Sequence, residues 1–198
     1  MIDVDIPQLS SDGIEFRWYG FQYTYSLQSS STHSPISSSF DASALENYIS
    51  FGTMKPSASS TVVRNRKELK SIPLDVEDLW IGRFDTSDVS EFSPNRFQSL
   101  KTLVIGNGCF GNVRVFELDG LGELESVVIG QKSFRISDKE RSDGDYRIVN
   151  CPKLKSIQIS DYSFSDYHSF ELRNLHSLQS IVLGDQCFNR VPLFSLTG

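Results

Sequence analysis

The sequence predicts a mainly β protein in which short strands stack into parallel sheets, as a β-solenoid of about five coils of 24 residues. Three observations lead to this prediction. Two apolar motifs recur in phase along residues 76–198, and regular recurrence at such a period is typical of repeat architectures. Within each copy of the first motif, a glycine or serine follows the predicted strand, and a phenylalanine ends the motif. The residues before the array do not repeat and predict an irregular α+β region.

The first motif has the pattern L-x-x-[LVI]-x-[IL]-[GS]-x-x-[CS]-F. Its copies read LKTLVIGNGCF, LESVVIGQKSF, LKSIQISDYSF and LQSIVLGDQCF, and they start at Leu100, Leu124, Leu154 and Leu178. The starts are 24, 30 and 24 residues apart, and the longer unit carries a polar insertion, RISDKERSDG, that predicts a loop. A more degenerate unit, VEDLWIG, begins at Val76. We therefore expect coils starting near residues 76, 100, 124, 154 and 178.

The second motif begins eight residues before each of the later starts. It reads FELDGLGEL, YRIVNCPKL and FELRNLHSL, and it predicts a second short strand on another side of each coil. Alternate residues of a strand point to opposite faces, so the first motif also predicts which residues face the core. These are Leu103 and Ile105, Val127 and Ile129, Ile157 and Ile159, and Ile181 and Leu183.

Two further positions of the first motif carry structural predictions. The glycine after each strand is expected to permit a sharp turn out of the sheet. These glycines are Gly82, Gly106, Gly130 and Gly184. The phenylalanine that closes the motif is expected to form a buried aromatic ladder. The ladder residues are Phe110, Phe134, Phe164 and Phe188.

The pattern resembles that of the leucine-rich-repeat superfamily, with its L-x-x-L-x-L-x-x-N/C-x-L signature, and within it BspA-like repeats. The resemblance covers roughly residues 63–198. It departs from the family at the asparagine position, which holds Gly108, Lys132, Tyr162 and Gln186. The resemblance implies a stacked-strand fold and a role in adhesion or protein binding, although a repeat fold does not fix a function.

Residues 1–62 form a predicted non-repetitive region. The aromatic stretch at residues 14–27 predicts a hairpin that turns near Gly20. The Ser-rich residues 28–39 predict a linker. A short helix is predicted to begin near Ser43, with Glu46 completing a capping box.

Residues 63–75 predict a strand and a helical turn that act as an N-terminal cap, because the ends of a solenoid must be covered. Leu69 and Ile72 are expected to pack on the first coil. At the other end, the unit that starts at Leu178 stops three residues short of a full period. Truncation of a longer array and cover by a partner are both open explanations.

The composition excludes some classes of partner. The formal net charge is −6, which argues against nucleic acid because phosphate binding needs clustered Lys and Arg. No apolar run reaches the roughly 18 to 20 residues of a membrane-spanning helix. No secretory signal is visible at residues 1–13, so a cytoplasmic location is favoured.

The sequence offers no recognisable catalytic, cofactor or metal motif. His33, His168 and His176 have no ligand-type residue at a metal-binding spacing. The three cysteines align with structural positions of the repeat and predict buried free thiols. Cys109 and Cys187 lie three coils apart, about 14 Å at the sheet spacing, which is too far for a disulfide.

Candidate partner-binding residues follow from the outward positions of the first strand. One row is small and polar, and a second is mostly apolar although it is expected to face solvent. The binding candidates are Thr102, Ser126, Ser156 and Ser180 in the polar row, and Trp80, Val104, Val128, Gln158 and Val182 in the apolar row. A structural explanation is also open, either β propensity alone or the aromatic hairpin folded over the apolar row.

On the second strand, the outward row places Arg147 between Glu117 and Glu171, with Ser93 and Ser195 beyond them. Opposite charges on adjacent strands support a fold by roughly 0.2–1 kcal/mol per pair. The sequence thus favours a non-catalytic scaffold that binds an unknown protein partner. A cell-surface adhesin of BspA-like type is the alternative. An enzyme would need a site between the N-terminal region and the solenoid.

Overall fold

The computed structural model describes residues 56–136 and 144–191 in full, together with the backbone of four short strands outside those ranges. The described part of the protein is mainly β, and its strands form two sheets. Helix in this part is limited to α1 (Arg66–Lys70) and a 3-10 helix at Pro94–Arg96. The predicted mainly β class with parallel sheets is confirmed. The linker at residues 28–39 and the helix near Ser43 lie outside the described residues.

The larger sheet, called here the eight-stranded sheet, contains the strands of the first motif. In spatial order its strands are β3 (Ser26–Leu27), β2 (Ile14–Trp18), β12 (Ser180–Leu183), β10 (Ser156–Ile159), β8 (Ser126–Ile129), β6 (Thr102–Ile105), β5 (Asp78–Ile81) and β4 (Thr61–Val63). All of these pairings are parallel except that of β2 with β3, which is antiparallel. The β2–β3 pair agrees with the hairpin predicted over residues 14–27, and its predicted turn near Gly20 lies outside the described residues.

The smaller sheet, called here the five-stranded sheet, is parallel throughout. In spatial order its strands are β13 (Leu196–Thr197), β1 (Ile2–Asp5), β11 (Tyr167–Arg173), β9 (Gly144–Val149) and β7 (Val115–Asp119). Strands β7, β9 and β11 coincide with the three copies of the second motif, so a second strand is present in those three units. The unit that begins at Val76 has the 3-10 helix in the corresponding place, where Pro94 supplies no backbone N–H for a ladder.

The strands of the eight-stranded sheet pair in a constant register. Thr102 pairs with Asp78 and with Ser126, so that each step between neighbouring strands is 24 residues. The step from β8 to β10 is 30 residues, from Ser126 to Ser156, and the next step to Ser180 is again 24. These steps equal the spacing of the motif starts in the sequence. The additional residues of the longer step fall between β8 and β9 and leave the sheet register unchanged.

The core lies between the two sheets and contains the inward residues that the alternation predicted. All eight predicted strand residues are completely buried: Leu103, Ile105, Val127, Ile129, Ile157, Ile159, Ile181 and Leu183. The cap residues also behave as predicted, because Ile72 is buried and Leu69 packs against the core. Burial of apolar surface on this scale, at roughly 25 cal/mol per Å², is the main term that favours folding.

Two columns of stacked aromatic rings run through the core. Phe110, Phe134, Phe164 and Phe188 stack with ring centroids 5.3, 4.7 and 5.2 Å apart, and the predicted ladder is confirmed. A second column, from the five-stranded sheet, stacks Phe116, Tyr146 and Phe170 at 5.3 and 4.9 Å. The two columns meet edge to face, for example Phe116 on Phe164 at 5.4 Å. Both geometries are favourable for aromatic pairs.

The glycines after the strands have a different role from the predicted one. None of Gly82, Gly106, Gly130 and Gly184 is among the described residues with positive φ, so a left-handed turn does not explain them. A Cβ at Gly130 would lie 2.6 Å from the carbonyl carbon of Gly106, and a Cβ at Gly184 would lie 2.8 Å from that of Ser160. Close approach of neighbouring backbone segments therefore requires glycine at Gly130 and Gly184.

Positive φ angles do occur two and four residues after these positions. The asparagine position of the leucine-rich-repeat signature has φ between 56° and 67° at Gly108, Lys132, Tyr162 and Gln186. The ladder residues Phe110, Phe134, Phe164 and Phe188 have φ between 52° and 60°. Left-handed backbone is uncommon for residues other than glycine and asparagine, so these turns hold strain that packing of the phenylalanines offsets.

The side chain before the left-handed residue bonds to the next turn. The Oδ1 of Asn107 accepts the N–H of Gln131 at 2.8 Å, and the Oδ1 of Asp161 accepts the N–H of Asp185 at 2.8 Å. The side chains of Asn107 and Asp161 therefore link consecutive turns of the motif.

Candidate functional site

The polar row of candidate residues lies on the outer face of the eight-stranded sheet. Thr102, Ser126, Ser156 and Ser180 stand in register on four neighbouring strands, continuing from Asp78. All are half-buried, and the hydroxyls of Ser126 and Ser156 are hydrogen-bonded at 3.3 Å. The row is a continuous line of short hydrogen-bonding side chains along the sheet.

The apolar row was predicted to face solvent, but its first three residues are buried. Trp80, Val104 and Val128 are only 7%, 3% and 4% exposed, and they form a second apolar cluster against which Val62 packs. These side chains lie in register on neighbouring strands, where each packs against the next. Gln158 and Val182 continue the row and are half-buried. The accessible part of the face is therefore its β10–β12 end.

The two described strands of the predicted aromatic hairpin, β2 and β3, belong to the eight-stranded sheet and do not lie across the apolar row. Strand β2 is in the plane of the sheet, beside β12, where Arg17 pairs with Val182. Four strands separate β2 from β5, which carries Trp80. Strand β2 therefore extends the outer face at the end opposite to Trp80.

Charged pairs border this face where its strands begin. The Nζ of Lys101 is 2.7 Å from Glu77, and the Nζ of Lys155 is 2.6 Å from Glu125. The hydrogen bond from Lys101 to Glu77 raises the pKa of the lysine, and the bond from Lys155 lowers the pKa of Glu125. Each of these four residues directly precedes a strand of the first motif, and the residue in the same place before β12, Gln179, is uncharged. The charges along this rim therefore alternate in sign.

The outer face of the five-stranded sheet carries the predicted charged column. Arg147 pairs in register with Glu117 and Glu171, and its guanidinium lies 3.1 and 3.2 Å from their carboxylates. The predicted arrangement is confirmed for these three residues. Ser93 lies outside the strands, at the cap of the 3-10 helix, and Ser195 lies outside the described residues. A shallow depression of about 440 Å³ follows the column.

A surface cleft of about 520 Å³ lies between α1 and residues 88–97. The place where the sequence would put an enzyme site, between residues 1–62 and the predicted solenoid, lies mostly outside the described residues. The walls of the cleft include the ion pair of Arg66 with Asp88 and the apolar residues Phe92 and Phe97. His168 lies elsewhere, 3.9 Å from Asp145 on the five-stranded sheet. Within residues 56–136 and 144–191, no group of three or more His, Cys, Asp or Glu side chains could hold a metal ion.

The three cysteines are free and completely buried, as predicted. Burial raises the pKa of the Cys109 and Cys151 thiols to about 11 and that of Cys187 to about 12. Cys109 and Cys187 share one column with Ser133 and Ser163. The thiol of Cys187 donates to the Ser160 carbonyl at 3.0 Å, and the hydroxyl of Ser163 donates to the Gly130 carbonyl at 2.7 Å. A thiol and a hydroxyl thus satisfy equivalent carbonyls.

The sequence did not reveal that the side chains of this column donate hydrogen bonds to backbone carbonyls. The motif position that holds either Cys or Ser could have indicated it, because both side chains can donate. Sequence reasoning also missed Tyr146, whose hydroxyl is buried without a hydrogen-bond partner among the described residues. Burial holds the pKa of this phenol well above its usual range. The motif shows an aromatic at this position, and nothing in it distinguishes a phenol from a phenyl ring.

Comparison of the chain with protein-family models, with curated proteins and with solved structures found no match. Among the helices of the described residues, none is long and apolar enough to cross a membrane.

Proposed function

We propose that this protein is a leucine-rich-repeat-type β-solenoid, with BspA-like repeats, and that it is a non-catalytic scaffold that binds a protein partner. The constant register of β5, β6, β8, β10 and β12 supports the solenoid. Each neighbouring strand comes from the next copy of the sequence motif. Such stacking builds extended surfaces of the kind that repeat proteins use for binding.

The observation that carries the binding proposal is the continuous polar row on the outer face of the eight-stranded sheet. Its hydroxyls are short and held by rigid strands, so a partner would form hydrogen bonds there with little loss of side-chain entropy. We place the contact at the β10–β12 end, on Ser156, Ser180, Gln158 and Val182, because this part of the face remains accessible. The buried Trp80, Val104 and Val128 support the sheet from the other end.

Site-specific photo-crosslinking tests this proposal. A photo-reactive amino acid at Gln158 is expected to capture one defined partner. The same amino acid at Val115, which is 55% exposed on the five-stranded sheet, is expected not to capture that partner. The captured protein is then purified and its affinity for the unmodified chain is measured by calorimetry.

A pair of matched variants decides whether the face binds that partner. Ser156→Arg with Ser180→Arg places two long charged side chains on the proposed contact and is expected to weaken binding at least tenfold. Ser169→Arg introduces one such side chain at a half-buried serine of the five-stranded sheet and is expected to leave affinity unchanged, whereas Ser156→Arg and Ser180→Arg are each expected to weaken binding when made alone. Equal affinities of the three single variants would contradict the proposal.

A further inference from the structure

Both sheets continue beyond the repeated motifs into strands from the start of the sequence. Strand β2 pairs in parallel with all four residues of β12, from Ser180 opposite Glu15 to Leu183 opposite Trp18. Strand β1 pairs in parallel with the last four residues of β11, from Phe170 opposite Ile2 to Arg173 opposite Asp5. Strands β1 and β2 thus supply the next strand to the five-stranded and the eight-stranded sheet, beside β11 and β12.

These pairings cover edges that would otherwise be open. A strand at the edge of a sheet presents unpaired N–H and C=O groups and is a template for another chain. Strands β11 and β12 are such edges without β1 and β2. Strands β1 and β2 are more than 100 residues away from β11 and β12 in the sequence. No tight turn connects the paired strands.

Strand β1 also lies between two strands that the repeat spacing would place side by side. Val4 pairs with Leu172 on one side and with Leu196 on the other. Leu196 follows Leu172 by 24 residues, the step that makes Tyr146 and Phe170 direct neighbours in the same sheet. Two segments of the chain, residues 2–5 and 196–197, therefore fit the edge of β11.

We propose that β1 and β2 are exchangeable strand donors, and that the β11–β12 edge accepts these strands from a second copy of the chain as well as from its own. The exchange keeps every backbone pairing and changes only which chain supplies the donor, so it has a low cost in contacts. The proposal goes beyond partner binding on the outer face and does not depend on it. Exchange competes with an intramolecular effective concentration on the order of millimolar, and it therefore requires concentrated protein.

Cysteine pairs in the full-length chain test the acceptor edge. Arg17 and Val182 are register neighbours, and parallel neighbours about 4.8 Å apart lie within the reach of a disulfide. The variant with Arg17→Cys and Val182→Cys is expected to oxidise within one chain. The control variant combines Arg17→Cys with Gln158→Cys. Gln158 is the register neighbour of Val182 on β10, two strands away from Arg17, so this pair is expected not to bridge. Failure of the first pair to bridge, or equal bridging of both, overturns the proposal.

Mixing two single variants then tests the exchange. Arg17→Cys and Val182→Cys chains are unfolded together, refolded under reducing conditions at about millimolar concentration, diluted and oxidised. A covalent dimer that contains one chain of each kind is the expected product, and its yield is expected to rise with the concentration during refolding. The Arg17→Cys and Gln158→Cys mixture is expected to give none. Unmodified protein provides an independent readout, because it is expected to form a dimer in sedimentation analysis only after concentrated refolding. A monomer at every concentration overturns the exchange.

Discussion

Two tyrosines of the core hold their hydroxyl groups in opposite circumstances. The hydroxyl of Tyr167 donates to the carbonyl of Val113 at 2.6 Å, whereas that of Tyr146 has no hydrogen-bond partner among the described residues. An unsatisfied buried polar group costs about 1–3 kcal/mol, and a satisfied one contributes about 1 kcal/mol. The two hydroxyls are therefore expected to affect stability with opposite signs.

This contrast gives a matched pair of substitutions. Tyr146→Phe removes an unsatisfied hydroxyl from a column that already holds Phe116 and Phe170, and it is expected to raise the free energy of unfolding by about 1 kcal/mol. Tyr167→Phe leaves the Val113 carbonyl unpaired and is expected to lower it by about 1 kcal/mol. Chemical denaturation of both variants checks the signs. A loss of stability in Tyr146→Phe would show that its hydroxyl has a partner.

The three buried thiols link stability to alkaline pH. Because burial raises their pKa values from about 9 to about 11 or 12, the folded chain retains protons that the unfolded chain releases. The resulting stabilisation is complete below pH 9 and decreases as the pH rises through 11 and 12. The free energy of unfolding is expected to fall over this interval. Burial also raises the pKa of Tyr146 and Tyr167, which act in the same direction. The wild type is therefore compared with the double variant Cys109→Ser, Cys187→Ser, whose free energy of unfolding is expected to fall less steeply. Equal slopes would contradict the assignment to thiols.

Left-handed turn residues offer a third test at this scale. Lys132 is exposed and has φ of 59°, a conformation that costs most residues roughly 1–2 kcal/mol relative to glycine. Lys132→Gly removes that strain but adds freedom to the unfolded chain, worth about 0.5–1 kcal/mol. A net gain of about 0.5 kcal/mol is expected from these two terms. Lys132→Val is expected to destabilise by more than 1 kcal/mol, because a β-branched side chain tolerates this backbone poorly. Thermal denaturation of both variants measures the difference.

Among the elements, the strands of the two motifs are the part of the fold that the sequence predicts well. Alternation of apolar residues determines which side chains of β10 and β12 are buried, because a strand packed on a core exposes the other side of its pleat. The same rule failed for Trp80, Val104 and Val128, since an apolar outward row can form a cluster of its own. The glycine role was also predicted wrongly, because a sequence shows that Gly130 lacks a side chain but not which backbone approaches it.

The charged column on β7, β9 and β11 tests the register of the five-stranded sheet. Arg147→Glu places three acidic residues on neighbouring strands and is expected to destabilise the protein by about 1–2 kcal/mol, since each opposite-charge pair contributes up to about 1 kcal/mol. The loss should be smaller at high salt, because all three side chains are part-exposed.

A charge reversal of the whole column provides the control. The triple variant Glu117→Arg, Arg147→Glu and Glu171→Arg keeps both pairs with their signs exchanged, and it is expected to recover most of the stability lost in Arg147→Glu. Denaturation of the wild type, the single and the triple variant gives the coupling. An unchanged stability in Arg147→Glu would show that the register of this sheet is wrong.

At the scale of the whole molecule, the sheets are built by repetition and completed by pairing between distant segments. Motif spacing predicts that β12 follows β10, because both strands come from copies of one pattern. It does not predict that β2 follows β12. The segment IEFRW carries no copy of the motif, and long-range pairing of an isolated strand depends on edge hydrogen bonds that any extended sequence can supply. The candidate binding face was likewise predictable in position but not in exposure, which depends on what surrounds each residue.

Methyl–methyl nuclear Overhauser effects can test whether successive motif copies stack as parallel neighbours. With labelled Leu, Val and Ile methyl groups, we expect cross-peaks that connect Leu103 to Val127, Val127 to Ile157, and Ile157 to Ile181, each pair being register neighbours. Cross-peaks that skip a strand, such as Leu103 to Ile157, should be weak or missing. A pattern in which Leu103 contacts Ile181 but not Val127 would contradict the stacking of the strands in sequence order.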